Sequence, residues 1–403
     1  MNVLLVGNGF DLYYKFPTKY SNFLHTVDFL IRNYNDSIRT IGDVFSSESL
    51  QKNDSFITEC YREHQVIYDN TDLSENTICE IIRLTKKNRW FSYLHKSFNK
   101  DVGWIDFERE IAVVLRCFKE VLPNITEKFS EQAFPSAFEK YIIKSFPFFT
   151  NQSLGIVFKD GRTSDIPGKF VVDPECLIEY PVGSDLKTVN AEKIICDLYD
   201  ELLELSKALK LYLISFVEEP LSMMATEDAT RSRLCQCKAL RHIQAIVTLN
   251  YTNTYEKLYY SNSVFHLHGS VNGNIVLGVN ADNADEYDES DKIDTSFLRF
   301  KKYYQKALYE TDAEYLCWIE KYAMERSYNI DLLIMGHSLD ITDRDIIVEL
   351  FNVADTVTVL FHDLSAKKQY IQNLVRIFGK SKFDSYRRKK SLEFLPINTD
   401  LFI

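Results

Sequence analysis

Glycine and proline are scarce in this 403-residue chain, at 13 and 9, which excludes a collagen-like repeat and argues against long flexible linkers. No run approaches the ~18 uninterrupted apolar residues of a membrane span, so no transmembrane helix is expected. Basic charge is not in excess either. With 47 Lys+Arg against 58 Asp+Glu the net charge is −11, which counts against broad electrostatic binding to nucleic acid. The eight cysteines are scattered, and Cys235-Gln236-Cys237 is the only close pair, too little for a structural zinc site. The amino terminus lacks a basic leader and its apolar run stops after four residues. No signal peptide is therefore expected, and the cysteines are read as reduced thiols in a cytoplasmic protein. Tryptophan is limited to 3 residues, but 28 Phe and 24 Tyr carry the aromatic share to 14%, within 45% apolar residues overall. That is enough to build a full core, and it excludes global disorder.

What is present is patterned. Residues 2–6 are a short apolar run ending in Gly7-Asn8-Gly9, as in a buried parallel strand feeding a tight turn. Helical spacing follows at 19–33, whereas 34–74 is polar and without clear period. Further helices are expected around 78–84, at 106–122 and, longest of all, at 190–217; residues 153–183, rich in Gly, Pro and Asp, read as loop with short strands. The period then changes. Strand-like runs at 243–249, 264–268, 274–277, 331–335 and 356–361 alternate with helical stretches at 254–260, 295–308, 312–325, 343–352 and 365–378, the last followed by Gly379 as a C-cap. Alternation of this kind implies an α/β fold with a mainly parallel sheet. The expected division is a sheet domain of 1–33 and 241–403, split by a large, mostly helical insertion over 34–240.

Four constellations carry chemistry. Gly7-Asn8-Gly9 ends the first strand, where two glycines allow either a plain tight exit or close approach to a phosphate. Thr248-Leu249-Asn250-Tyr251-Thr252 ends a second strand, and Asn250 there caps a helix or orients a water or sugar hydroxyl. In Phe265-His266-Leu267-His268-Gly269-Ser270, His268 is the candidate for acid–base work, with His266 open to a structural role. Gly336-His337-Ser338-Leu339-Asp340 ends another strand, and Asp340 or Asp343 caps the next helix, accepts from a ribose hydroxyl, or both. All four fall at strand carboxyl ends of one sheet, which points to a nucleotide site. Asp106 and Glu108, beside Trp104, offer either a helix cap or a weak magnesium pair. The run Arg387-Arg388-Lys389-Lys390 reads as a solvated surface.

At these residues the chain resembles the bacteriophage abortive infection family AbiH, through Gly7-Asn8-Gly9-Phe10-Asp11-Leu12, Phe16-Pro17-Thr18-Lys19-Tyr20, Trp104-Ile105-Asp106-Phe107-Glu108, Leu249-Asn250-Tyr251-Thr252, His266-Leu267-His268-Gly269 and Gly336-His337-Ser338-Leu339-Asp340. More distantly, the same motifs in the same order are similar to sirtuins and SIR2-like domains. The resemblance implies a Rossmann-like, SIR2-like fold whose cofactor-binding positions are Gly7, Asn8, Gly9, Phe10, Asp11, Thr252, Gly336, His337, Ser338 and Asp340. Gly7 and Gly9 would face the diphosphate of NAD, Asn250 the nicotinamide ribose, and Ser338 the phosphates or adenosine ribose; His268 and Asn250 would be catalytic. Thr252 stands where the sirtuin motif closes on Asp, Leu249 where it has Gln, and Lys15 where its cofactor loop has glycine. The paired Cys-x-x-Cys ribbon is missing, so protein deacylation is not expected.

The function implied is an anti-phage effector that hydrolyses NAD to nicotinamide and ADP-ribose. The alternatives are a non-catalytic nucleotide-binding sensor or scaffold and a metal-dependent nuclease. Expected partners are NAD or a related nucleotide, a phage-derived trigger or partner protein, and a second copy of the chain; neither a membrane, a metal nor nucleic acid is expected.

Overall fold

The computed structural model describes residues 1–35, 37–98, 105–125, 129–130, 177–179, 186–226, 240, 242–259, 263–280, 295–325 and 329–397. In chain order the strands are β1 (Asn2–Val6), β2 (Phe129–Ser130), β3 (Leu177–Glu179), β4 (Leu186–Val189), β5 (Ala245–Thr248), β6 (Val264–His266), β7 (Asp331–Met335), β8 (Thr356–Phe361) and β9 (Leu392–Pro396). Six of them form one sheet in the order β6-β5-β1-β7-β8-β9, with every pair parallel. Counted along the chain, that order is 3-2-1-4-5-6, the Rossmann arrangement. β2, β4 and β3 make a separate antiparallel sheet.

The middle strands owe their place to composition. Val3, Leu4, Leu5 and Val6 are all buried, as are the four residues of β5 and the last four of β7. A strand covered on both faces reads as a continuous apolar run, and these do. Helix Arg344–Val353 lays Ile346, Ile347 and Leu350 into the core formed with Val3, Leu5 and Val247, and helix Leu364–Arg388 adds Leu374. Each parallel neighbour after β5 is reached by a connection containing helix, as parallel pairing requires.

Spatially the chain forms two units: Met1–Ile82, Lys207–Asn280 and Lys302–Ile403 make one, and Arg83–Ser206 with Ala281–Lys301 the other. The pattern-based division differs from this one over 34–82, 207–240 and 281–301. The first unit contains the six-stranded sheet and the second contains the small antiparallel sheet. In the second unit Trp90 is fully buried, donates from Nε1 to the Leu198 carbonyl at 2.8 Å and packs against Phe300, while Arg89 pairs with Glu201 at 2.7 Å.

Three expectations are corrected. Residues 34–74 are not irregular: they hold helices Ile41–Phe45, Glu48–Asn53 and Ser55–Asp69. Their signals are caps and not period. Thr40 and Asp43 form a reciprocal capping box, and Asp54 accepts from the amides of Phe56 and Ile57. His64, at φ −121°, breaks the third helix and with it the apolar spacing. Residues 274–277 form no strand; only Ile275 bridges to Gly269, and the Gln305 amide both accepts from Leu277 N and donates to its carbonyl, standing in for a ladder. Gly379, at φ +74°, breaks helix Leu364–Arg388 without ending it. β9 carries no sequence expectation. Trp104, Cys176 and Cys235-Gln236-Cys237 lie outside the described residues, and most of 153–183 does too. No helix among the described residues is long and apolar enough to cross a membrane.

Candidate functional site

The two glycine turns meet at the switch point of the sheet, where connections leave β1 and its neighbour β7 in opposite directions. Gly9 N donates to the Gly336 carbonyl at 2.8 Å, and Gly7 N to that of Met335 at 3.4 Å. A Cβ on Gly9 would sit 2.8 Å from Gly336 Cα, so glycine here is demanded by backbone packed on backbone. Phe10 N turns back to the Gly7 carbonyl. These three amides therefore serve the turns themselves and not an open phosphate cradle. Asn8 is exposed, its Oδ1 accepting from Thr18 Oγ1, and the buried Phe10 ring packs against Tyr14 and Tyr255.

Asn250 follows the end of β5 and is fixed on three sides. Its amide N donates to Thr248 Oγ1 at 3.0 Å and its Nδ2 to the Gly7 carbonyl at 3.1 Å, while its carbonyl receives His266 Nδ1–H at 3.1 Å. Its Nδ2 is thereby committed to the Gly7 carbonyl. His266 also faces Glu256 Oε1 at 2.6 Å through Nε2, so both ring nitrogens meet acceptors. Burial alone would lower the pKa of His266, but the Glu256 carboxylate and the Asn250 carbonyl outweigh it and raise it. His266 is a cationic strut.

His268 has the opposite character. It is buried, and burial followed by the neighbouring Lys302 ammonium holds its pKa well below the ordinary histidine value, against the pull of Asp343. The ring is neutral at pH 7. Its Nε2 has no hydrogen bond; Asp343 Oδ1 lies 3.5 Å away, out of alignment, and is engaged by Lys302 Nζ at 3.1 Å. The other carboxylate oxygen faces His337 Nε2 at 3.3 Å. Leu339 N donates to His337 Nδ1 at 2.9 Å, which puts the ring proton on Nε2, pointing at Asp343. For Asp343, burial would raise the pKa, but Lys302 and the His337 hydrogen bond hold it well below the usual carboxylate range. Leu339, fully buried, sits at φ +55°, a left-handed conformation that costs a non-glycine residue about 1–3 kcal/mol.

Asp11 completes the site from the helix that follows β1. Its Oδ2 accepts from Thr252 Oγ1 at 2.6 Å, Thr254 Oγ1 reaches Thr252 Oγ1 at 3.3 Å, and Oδ1 is buried without a partner. Burial pushes the Asp11 pKa up to about 7; the Thr252 and Thr254 hydroxyls oppose the rise, and Glu218 and Glu256 add to it.

The turns, Asn250, Thr252, His268 and His337 thus belong to one rim. Ser338 is exposed and gives its carbonyl to Asn373 Nδ2, while Asp340 caps the turn Ile341–Asp343 through Thr342 N at 3.3 Å. Four contributors were not singled out in the sequence: Lys302, Glu218, Glu256 and Thr254. Glu218 ends a π-helical turn, accepts from Asn253 N at 2.6 Å, and binds Lys257 Nζ. In the second unit Asp106 Oδ1 accepts from Glu108 N and Arg109 N, the cap reading of that residue. Among the described residues no cluster of three or more His, Cys, Asp or Glu is arranged to hold a metal ion.

Residues 3–362 match the family model described as Bacteriophage abortive infection AbiH, so the match runs from β1 past the end of β8 and takes in every residue of the rim. The chain belongs to the AbiH family. No curated protein and no solved structure matches it. Membership supports a role for this AbiH protein in phage abortive infection.

Proposed function

We propose that this AbiH protein acts in phage defence by binding NAD at the carboxyl ends of β1, β5, β6 and β7 and hydrolysing its N-glycosidic bond to nicotinamide and ADP-ribose. The observation that carries the reading is the conjunction of a 3-2-1-4-5-6 parallel sheet with a buried, neutral His268 whose Nε2 is unpaired, beside the rim where such sheets take dinucleotides. Loss of nicotinamide from the ribose builds positive charge on the sugar, and attack by water then requires a proton acceptor. His268 fills that role, since a neutral imidazole near pH 7 takes a proton at Nε2, and Asp343 and Lys302 hold the surrounding charge fixed. Asn250 Oδ1 accepts a hydrogen bond from the water or the ribose, because its Nδ2 is committed to Gly7. Asp343 and His337 orient and do not react. General-base assistance of this kind contributes roughly 10²–10⁴-fold.

The test is direct. Purified protein, with its phage trigger supplied, should deplete NAD and release nicotinamide, and His268→Ala and Asn250→Ala should lose about two orders of magnitude or more of that rate. Wild-type protein that protects cells while leaving NAD intact would overturn the enzymatic reading.

One observation favours a second reading, that of a nucleotide sensor without chemistry. The amides of Gly7, Gly9 and Phe10 are engaged within the turns, and His268 and Asp11 are buried. Calorimetry with NAD and ADP-ribose alongside a turnover assay separates the two: tight binding without product favours the sensor.

A further inference from the structure

We infer that Asp11 reads the sugar: its free oxygen, Oδ1, takes a ribose hydroxyl of the bound nucleotide, with Thr252 as the residue that positions it. The inference rests on the dinucleotide reading above and deepens it by naming the group that recognises ribose.

Asp11 is 1% exposed, and its two oxygens differ sharply. Oδ2 ends a chain of hydroxyls, Thr254 to Thr252 to Asp11, while Oδ1 has no hydrogen bond among the described residues. Buried carboxyl oxygens are nearly always matched, so the orphan marks a place where a partner is missing. Its position is that of a ligand group. Asp11 lies two residues past Gly9, Thr252 two past Asn250, and Asn250 is tied to Gly7 as Thr252 is to Asp11, so these residues gather the carboxyl ends of β1 and β5.

The chemistry of the partner follows from what surrounds the carboxyl. Glu218, from the π-helical turn, and Glu256, from helix Thr254–Tyr259, face it with negative charge, and each already has a cation of its own, Lys257 and His266. No cation is paired with Asp11 among the described residues. A phosphate would meet like charge, and an apolar group would leave the orphan unmatched. A hydroxyl both donates and accepts, so it satisfies Oδ1 whether the carboxyl is ionised or protonated, and it binds the ionised form more strongly.

That preference gives a measurable slope. For a carboxyl titrating at about 7, the ionised fraction rises about ten-fold between pH 6 and pH 8. NAD affinity of the full chain, measured by calorimetry, should therefore rise over that interval, by at most about ten-fold, the limit for binding by the ionised form alone. It should be weaker and flat in Asp11→Asn, with Asp11→Ser as a second variant should the first fold poorly. Among NAD analogues lacking one ribose hydroxyl at a time, one should abolish the difference between wild type and variant. Equal pH slopes in wild type and variants overturn the Asp11 assignment alone, as does an affinity that falls with rising pH. Failure of NAD, ADP-ribose and adenosine to bind at any pH overturns the pocket and the assignment together.

Discussion

Replacing Asp343 with Asn tests the charge balance on which the site depends. The carboxylate is buried, accepts from Lys302 at Oδ1 and from His337 Nε2 at Oδ2, and stands 3.5 Å from His268. Asn keeps the shape but removes the charge, and its NH₂ must face either the Lys302 ammonium or the His337 proton. Breaking a buried ion pair from one side costs about 3–5 kcal/mol, because the partner charge stays behind in a poor solvent. Replacing Lys302 with Met in the Asp343→Asn background should recover a large part of that loss, since the stranded cation goes too. The suitable assay is amide exchange by mass spectrometry under increasing urea, read on peptides from β1 and β7, because it reports the sheet unit without requiring the whole chain to unfold in one step. The sign with pH is fixed. The folded pKa of Asp343 is depressed, so its contribution is present above the unfolded value near 4 and lost as pH falls through the folded one. The gap between wild type and Asp343→Asn should thus close below about pH 4. A loss under about 1 kcal/mol at pH 7, or a double variant no better than the single, would refute the idea that this carboxylate holds the cluster together.

Other outcomes follow from the same geometry. Gly9→Ala brings a Cβ to 2.8 Å from Gly336 Cα, so urea unfolding should show a loss of about 2 kcal/mol or more, while Gly273→Ala, with nothing within 4 Å, should stay within about 0.5 kcal/mol. Glu256→Gln removes the carboxylate that raises His266, and the NMR titration of that ring should move to lower pH; because the folded value is raised, the associated stability is present below about pH 6.5 and lost as pH rises through the folded value, so the variant and wild type should converge in alkali. Trp90→Phe removes the bond to Leu198 and part of a buried ring, and should cost the second unit about 1–3 kcal/mol as seen in exchange of helix Arg89–Phe98.

The sheet was legible because its strands obey a simple rule. Asp331–Met335 and Thr356–Phe361 could be bounded to the residue: Leu332–Met335 is an unbroken apolar run, and in Thr356–Phe361 β-branched Thr and Val lead into the buried Val359-Leu360-Phe361. β9 escaped because its Leu392 is buried while Glu393 and Pro396 are exposed, the mixed pattern of an edge strand. The helices within 34–74 escaped for another reason: two are short, the third is broken at His64, and the information lies in Thr40, Asp43 and Asp54 at their caps. At the rim, residues on strand ends could be found by position alone, so Asn250, His268 and His337 were visible. Lys302 was not, because nothing near it in sequence marks a buried lysine; its carboxylate partner is Asp343, far along the chain. The opposed charge states of His266 and His268, two residues apart, were equally hidden, since they are set by Glu256 on one side and by burial beside Lys302 on the other.

The position of β1 has a consequence for how the protein is made. β1 leaves the ribosome before both of its neighbours in the finished sheet, Ala245–Thr248 and Asp331–Met335. Met335 is synthesised roughly 330 residues after Val6, on the order of 15–65 s later at about 5–20 residues per second. Until Ala245–Thr248 is made the run Val-Leu-Leu-Val has two unpaired edges, and one of them stays open until Asp331–Met335 follows. The crevice between β1 and β7 therefore cannot form, in a protein of a phage-defence family, until synthesis has passed Met335.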